Sequence, residues 1–284
     1  MALKYFFKNK FLRAIILPII KVFAIDFKIK HHWTGDDFHL NSFLHKGYWF
    51  HGKSRENFEM RVIAALVKPG DTVVEVGAHI GYLSLWFAKC ADVSEKKGEL
   101  YVFEPGLNNP PYLRKNIEPL GVKPIPAGCG DIDGNKIFYM DNMSGQNNSF
   151  LEGMHSFNTN LEHGAFTGKG EVVSEEVKII RLDTYFSKMK PDFVKIDTEG
   201  FDFYVFKGAE GLIRDGVKPP LFMFEATRDF SEIYDWLTSR DYFVFSNNGS
   251  QIKSREEMAT AGNLNFFAFN SNYHSKEIDI FSNI

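Results

Sequence analysis

Short apolar runs alternate with helically spaced ones along most of the chain, and that rhythm predicts a largely parallel α/β sheet. Phe58, Val62, Ala65 and Leu66 fall on one helical face over 57–67, and Lys68-Pro69-Gly70 ends that helix. Strands are then expected at 72–76, 99–103 and 123–127, with helices over 81–90 and 112–120 between and after them. The rhythm breaks at 128–175, a stretch rich in Gly, Asn and Ser with a hairpin strand at 136–140. A return strand at 177–181 and a short helix at 182–188 follow. Alternation resumes with strand 193–196, helix 201–214, strand 221–225 and helix 230–240. Strands at 242–246 and 265–269 close the pattern in an antiparallel finish. The expectation is a Rossmann-like, seven-stranded, mostly parallel sheet with helices on both faces. Residues 57–284 form the main domain, interrupted by an insertion at 128–181 before the fourth strand. Residues 31–57 lack periodicity and read as loop with short strands. Residues 1–56 form an N-terminal extension, helical in part.

With 284 residues, 44% of them hydrophobic, the chain can bury one large core. Phe, at 29 copies, is abundant; some of that excess belongs to the core, and a deep aromatic pocket is a secondary expectation. The 33 basic and 36 acidic residues leave a formal charge of −3, so no broad basic field invites nucleic acid. Cys90 and Cys129 stand far apart and make no CxxC pair. Neither a disulfide framework nor structural zinc is expected, and two free thiols fit a reducing cytoplasm.

The first 30 residues carry seven cations, from Lys4 to Lys30, against a single acid, Asp26. Their apolar run over 11–25 is broken by Arg13, Pro18 and Lys21. That is too short and too interrupted to span a bilayer, and no good signal-peptidase site follows it. The segment is either an interfacial helix touching the inner face of a membrane or a helix packed on the domain or on a second subunit. The last case would make a homodimer.

The chemistry begins at VVEVGAHIG, residues 73–81, a strand that enters a glycine turn and then a helix. Gly77 and Gly81 permit a tight turn and close backbone approach to a ligand. The second strand ends in Phe103-Glu104-Pro105, and an acid there suits the hydroxyls of a ribose. The turn has no Lys-Ser/Thr phosphate cradle, which disfavours a nucleoside triphosphate. Glu75, inside the first strand, faces a pyrophosphate poorly and a cationic ligand end well. This favours S-adenosylmethionine over a dinucleotide. An NAD-dependent oxidoreductase and a non-catalytic nucleotide-binding module remain the alternatives.

Glu75-Val-Gly-Ala-His-Ile-Gly81, Phe103-Glu-Pro105, Gly130-Asp-Ile-Asp-Gly134, Leu182-Asp183 and Asp192-Phe-Val-Lys-Ile-Asp-Thr-Glu-Gly200 together resemble the FkbM family of methyltransferases. Lys207-Gly-Ala209 and Asn263-Leu-Asn-Phe-Phe-Ala268 fit the same pattern, which covers roughly residues 57–270. The resemblance implies a class I methyltransferase fold, S-adenosylmethionine as donor, and O-methylation of a sugar, glycan or secondary-metabolite hydroxyl. The family commonly has Asp where Glu75 stands and Asn where His79 stands. The donor-binding set is Glu59, Glu75, Gly77, Ala78, His79, Gly81, Glu104, Pro105, Asp131 and Asp197.

Asp197 and Glu199 close the strand 193–196, at the carboxyl edge where doubly wound sheets bind ligands. Asp197 is the residue expected nearest the methyl, as base or as a positioner of the hydroxyl. Glu199 either binds substrate or caps the next helix. Lys195 is expected to pair with Glu225 or to meet substrate. His155 and His163, in the insertion, are alternative bases, and Asn147, Asn148 and Ser149 offer hydrogen bonds to sugar hydroxyls. Asp197, Glu199 and Glu225 supply oxygen donors for a divalent cation, but no spacing requires one and no metal is predicted.

Overall fold

The computed structural model describes residues 21–141, 148–152, 172–214, 216–261 and 265–284. The cationic stretch 1–20 and, within the insertion, residues 142–147 and 153–171, with Asn147, His155 and His163, lie outside the described residues.

Two strands, β1 (Asp26–Lys30) and β2 (Asp37–Asn41), pair as an antiparallel hairpin. Helices α1 (Lys46–His51) and α2 (Asn57–Leu66) lead into β3 (Thr72–Val76), α3 (Tyr82–Cys90), β4 (Glu99–Phe103), α4 (Pro110–Ile117) and β5 (Pro124–Ile125). Three strands, β6 (Gly128–Cys129), β7 (Gly134–Asp141) and β8 (Val172–Ile180), form a separate sheet in the order β6-β8-β7. After α5 (Leu182–Tyr185) come β9 (Phe193–Ile196), α6 (Asp202–Gly208), β10 (Leu221–Glu225) and α7 (Phe230–Thr238). The chain ends with β11 (Tyr242–Ser246), β12 (Gln251–Ile252), α8 (Arg255–Thr260), β13 (Asn265–Asn270) and α9 (Ser275–Phe281).

The main sheet has the order β12-β11-β13-β10-β9-β3-β4-β5. Strands β5, β4, β3, β9 and β10 run parallel, while β13 inserts antiparallel between β10 and β11. The sheet therefore has eight strands and is mixed, where seven were expected. The added strand is β12, two residues that fold back on β11 after a turn at 247–250. The expected strand 123–127 shrinks to Pro124–Ile125. Pro126 has no N–H to give a ladder, Ala127 N–H turns back to the Ile125 carbonyl at 2.8 Å, and Gly128 leaves for the other sheet.

Alternation along the strands divides the apolar residues between two layers. On one face Val74, Val76, Val194, Ile196, Phe222 and Phe224 join the core beneath α6, α7 and the three-stranded sheet. On the other, Val73, Val102, Phe193, Leu221 and Met223 meet α2, α3, α4 and the N-terminal hairpin. Glu75 and Lys195 face that second layer as register partners, where their strand neighbours are apolar. Asn116 on α4 binds the hairpin in place by accepting from His39 N–H and donating to the His39 and Ile80 carbonyls. Among the described residues no helix is long and apolar enough to cross a membrane.

Candidate active site

Strand ends β3, β4, β9 and β10 open into a cleft of about 310 Å³. A cleft of this size at the carboxyl edge of a parallel sheet is the expected place for a small ligand. Gly77 leaves β3 at φ 79°. A Cβ there would lie 1.8 Å from the Asp197 carbonyl oxygen, so glycine is required for β3 and β9 to end side by side. Gly81 serves packing instead: a Cβ would meet Leu113 of α4 at 2.8 Å. Gly81 and Ala78 do not line the cleft.

His79 sits between them in the left-handed region at φ 53°. Its N–H donates to Glu104 Oε2 at 2.8 Å, and Asn109 Nδ2 donates to Glu104 Oε1 at 3.0 Å. The Glu104 carboxylate is thereby fixed at the end of β4, beside Pro105. Burial pushes its pKa up to about 7, against the lowering pull of those hydrogen bonds. The His79 ring stacks on Tyr48 of α1, whose hydroxyl hydrogen-bonds with His79 Nδ1 at 2.9 Å.

Lys195 is buried and donates to the Gly77 carbonyl and to Asp197 Oδ2, both at 3.0 Å. Its partner is therefore Asp197 and not Glu225. Burial alone would raise Asp197, but the Lys195 charge and hydrogen bonds from Glu225 and Lys195 hold it below the usual carboxylate range. The Asp197 charge, then burial, drive Glu225 far above that range. Asp197 is the ionised member of the pair and Glu225 the protonated donor. A carboxyl oxygen of Asp197, Glu199 and Glu225 can each lie within 4.8 Å of the other two. The proton held between Asp197 and Glu225 relieves the repulsion such closeness brings.

Glu199 lines the cleft in the left-handed region at φ 51°. It does not cap α6. Asp202 ties that turn, accepting from Thr198 N–H, Thr198 Oγ1 and Gly200 N–H. Ser149, at the base of the insertion, donates to the Glu199 carbonyl at 3.0 Å, and Asn148 lines the cleft while donating to Asn108.

Besides Ala78 and Gly81, three expected donor residues stand away from the cleft wall. Glu75 is 1% exposed below the floor and accepts from Ser84, its pKa raised by burial to about 7. Glu59 accepts from Asn247 and Asn265, and only Asn265 reaches the cleft. The Asp131 carboxylate is taken by Lys207 at 2.7 Å, so Gly128 and Cys129 line the cleft after the third strand in its place. Tyr48, Arg55, Glu56, Asn109, Thr198 and Asn265 line it without having been expected there. Asn109 is a polar residue just beyond Phe103-Glu-Pro105 and was within reach of the motif. Tyr48, Arg55 and Glu56 come from the aperiodic stretch, and no spacing marks them.

These residues fit the donor that the motifs imply. Glu104 presents an anchored carboxylate of the kind that accepts from vicinal hydroxyls, the Gly77 turn brings bare backbone to the cleft, and Asp197 lines the same cleft.

No curated protein matches the chain. Among solved structures, a precorrin-6y C5,15-methyltransferase from Geobacter metallireducens GS-15 is similar at 10% identity and TM-score 0.40, covering 74% of this chain and 86% of that one. A SAM dependent methyltransferase from Aquifex aeolicus is similar at 14% identity and TM-score 0.38, covering 76% and 90%. The assignment rests on the sequence family and not on these remote likenesses. The methyltransferase FkbM domain matches residues 75–244, more than half of the chain and the run from the glycine turn into β11. The chain thus belongs to the FkbM family and is an S-adenosylmethionine-dependent methyltransferase.

Proposed function

We propose that the acceptor is a hydroxyl oxygen of a sugar, glycan or secondary metabolite. The observation that carries this reading is Asp197, an ionised carboxylate at the cleft floor held by Lys195 and hydrogen-bonded by Glu225. When bound, the donor supplies an electrophilic methyl group on a sulfonium. Asp197 accepts a hydrogen bond from the acceptor hydroxyl and so aims an oxygen lone pair along the line of attack. As that oxygen gains its methyl it becomes acidic, and Asp197 takes the proton. Lys195 keeps Asp197 ionised until that moment, and Glu225 limits where its carboxylate can turn. Asn148, Thr198, Glu199 and Asn265 give the cleft a polar wall suited to a polyol.

A methylation assay over a panel of glycans and hydroxylated metabolites tests the proposal, with the product identified by mass and linkage. Asp197→Asn should lower kcat by about 10²-fold or more while leaving donor affinity within about threefold. Methyl products found only on nitrogen or on carboxylates would overturn it.

We also place the reaction in the cytoplasm, with residues 1–30 touching the inner face of a membrane. Val22, Phe23 and Ile25 are exposed next to Lys21, as an interfacial segment needs. Failure of the full chain to co-sediment with anionic vesicles at low salt would refute this contact.

A further inference from the structure

Arg55 and Glu56 stand together in the cleft wall, between α1 and α2, outside the matched domain. Arg55 Nε lies 3.0 Å from Glu56 Oε1. Glu56 Oε2 is shielded from solvent and has no hydrogen-bond partner among the described residues, and Arg55 Nε is likewise unsatisfied by hydrogen-bond geometry. A buried carboxylate oxygen left without a donor costs on the order of 1–3 kcal/mol. The backbone adds to this: Glu56 is held at φ 51°, a left-handed conformation that costs a side-chain-bearing residue about 1–2 kcal/mol. Two local costs at one residue in a cleft wall are what a binding group carries before its ligand arrives.

The surroundings say which ligand. The Arg55 guanidinium lies 4.3 Å over the Tyr48 ring, and Tyr48 is hydrogen-bonded to His79 of the glycine turn. Arg55 is therefore registered against the turn at 77–81. Glu56 feels the charges of Lys195 and Asp197, and Glu75 in turn feels Glu56. That places Glu56 by the β3 and β9 ends, while Glu104 lines the same cleft from the β4 end. A ligand with its ribose on Glu104 and its reacting centre by Asp197 extends its remaining end toward Arg55 and Glu56. In S-adenosylmethionine that end is an amino acid, an ammonium next to a carboxylate. Two opposite charges carried into a shielded wall need two opposite charges to receive them.

We propose that Arg55 and Glu56 form the receptor for the amino-acid end of the methyl donor, Glu56 taking the ammonium and Arg55 the carboxylate. This rests on the donor and is independent of the acceptor's identity. It also gives the N-terminal segment a part in donor binding that the matched domain alone does not contain.

Calorimetric titration with two ligands separates this from any role toward the acceptor. S-adenosylhomocysteine keeps the amino-acid end, whereas 5′-methylthioadenosine has the adenosine and sulfur without it. Glu56→Gln and Arg55→Met should each weaken S-adenosylhomocysteine by about tenfold or more, as expected for loss of a charge-assisted contact. Both variants should bind 5′-methylthioadenosine within about twofold of the wild type, which also shows that they fold. The wild-type preference for S-adenosylhomocysteine over 5′-methylthioadenosine should shrink by the same factor. Equal weakening of both ligands, or of neither, overturns the assignment. An altered acceptor KM with unchanged S-adenosylhomocysteine affinity overturns it as well.

Discussion

If Glu104 takes both ribose hydroxyls, it does so far better as the anion, with an accepting charge on each oxygen, and its surroundings make that condition sensitive near neutral pH. Burial raises it to about 7, so the anion dominates above that pH and the acid below it. Affinity for S-adenosylhomocysteine should therefore fall about tenfold between pH 8 and pH 6, following the anionic fraction. Glu104→Gln should bind weakly and show no such slope. Calorimetry across that range checks both, and a flat wild-type profile would contradict the assigned role. Glu104 and Asp197 were legible in the sequence because both sit at strand ends, where an apolar run stops abruptly at an acid. Other motif residues were legible only as letters of the family pattern, since the same letters serve packing. Gly81 makes room for α4, and Asp131 holds Lys207. His79 has a backbone explanation. His and Asn both tolerate the left-handed region better than most residues, so His at φ 53° can stand where the family commonly has Asn. Arg55 and Glu56 were invisible because nothing local distinguishes them from any solvated pair.

At the scale of elements, the five strands at 72–76, 99–103, 193–196, 221–225 and 242–246 fall where their apolar runs place them. Most of their positions are buried, so pattern and position coincide. The elements that escaped are short and owe their form to tertiary contacts. Strand β12 is two residues long, α8 and α9 are six and seven, and β1 exists only through its pairing with β2. Lys207-Gly-Ala209 shows how a motif can encode contact between elements. A Cβ on Gly208 would lie 1.8 Å from the Gly130 carbonyl oxygen, so α6 rests directly on the backbone leaving β6. Lys207 bridges to Asp131 on one side, and its carbonyl accepts from Arg181. Helix propensity alone would make Gly208→Ala stabilising by about 1 kcal/mol. The close approach reverses that sign, and a loss of about 3 kcal/mol is expected. Urea unfolding measures the difference. A more stable Gly208→Ala protein would contradict the close approach of α6 to the backbone after β6.

For the molecule as a whole, the question is whether residues before the first sheet strand are an appendage or part of the fold. Periodicity argues for a boundary near residue 56, since nothing before it repeats. Packing argues against one. Phe38 and Leu40 are fully buried in the same layer as Val73, Val102 and Leu85, and Tyr48 is buried beside them. Trp33 meets Trp86 of α3 with ring centroids 5.5 Å apart, and Asn116 hydrogen-bonds β2 to α4. These contacts place the hairpin and α1 in one of the two main hydrophobic layers. They also hold Tyr48, Arg55 and Glu56 in the cleft wall. Phe38→Ala removes a buried aromatic ring at the centre of that arrangement, and such truncations cost about 3–5 kcal/mol. If the segment folds with the sheet, the loss lowers the stability of the entire chain in a single transition. With Trp236 of the opposite layer replaced by Phe, Trp33, Trp49 and Trp86 report on the N-terminal layer, whereas far-UV circular dichroism reports on all elements. Both signals should then shift together to a lower Tm. A tryptophan transition that precedes the dichroism change would instead mark residues before α2 as a separate unit. In that case the cleft wall could open independently of the sheet, and donor affinity would fall at temperatures where the sheet is still folded.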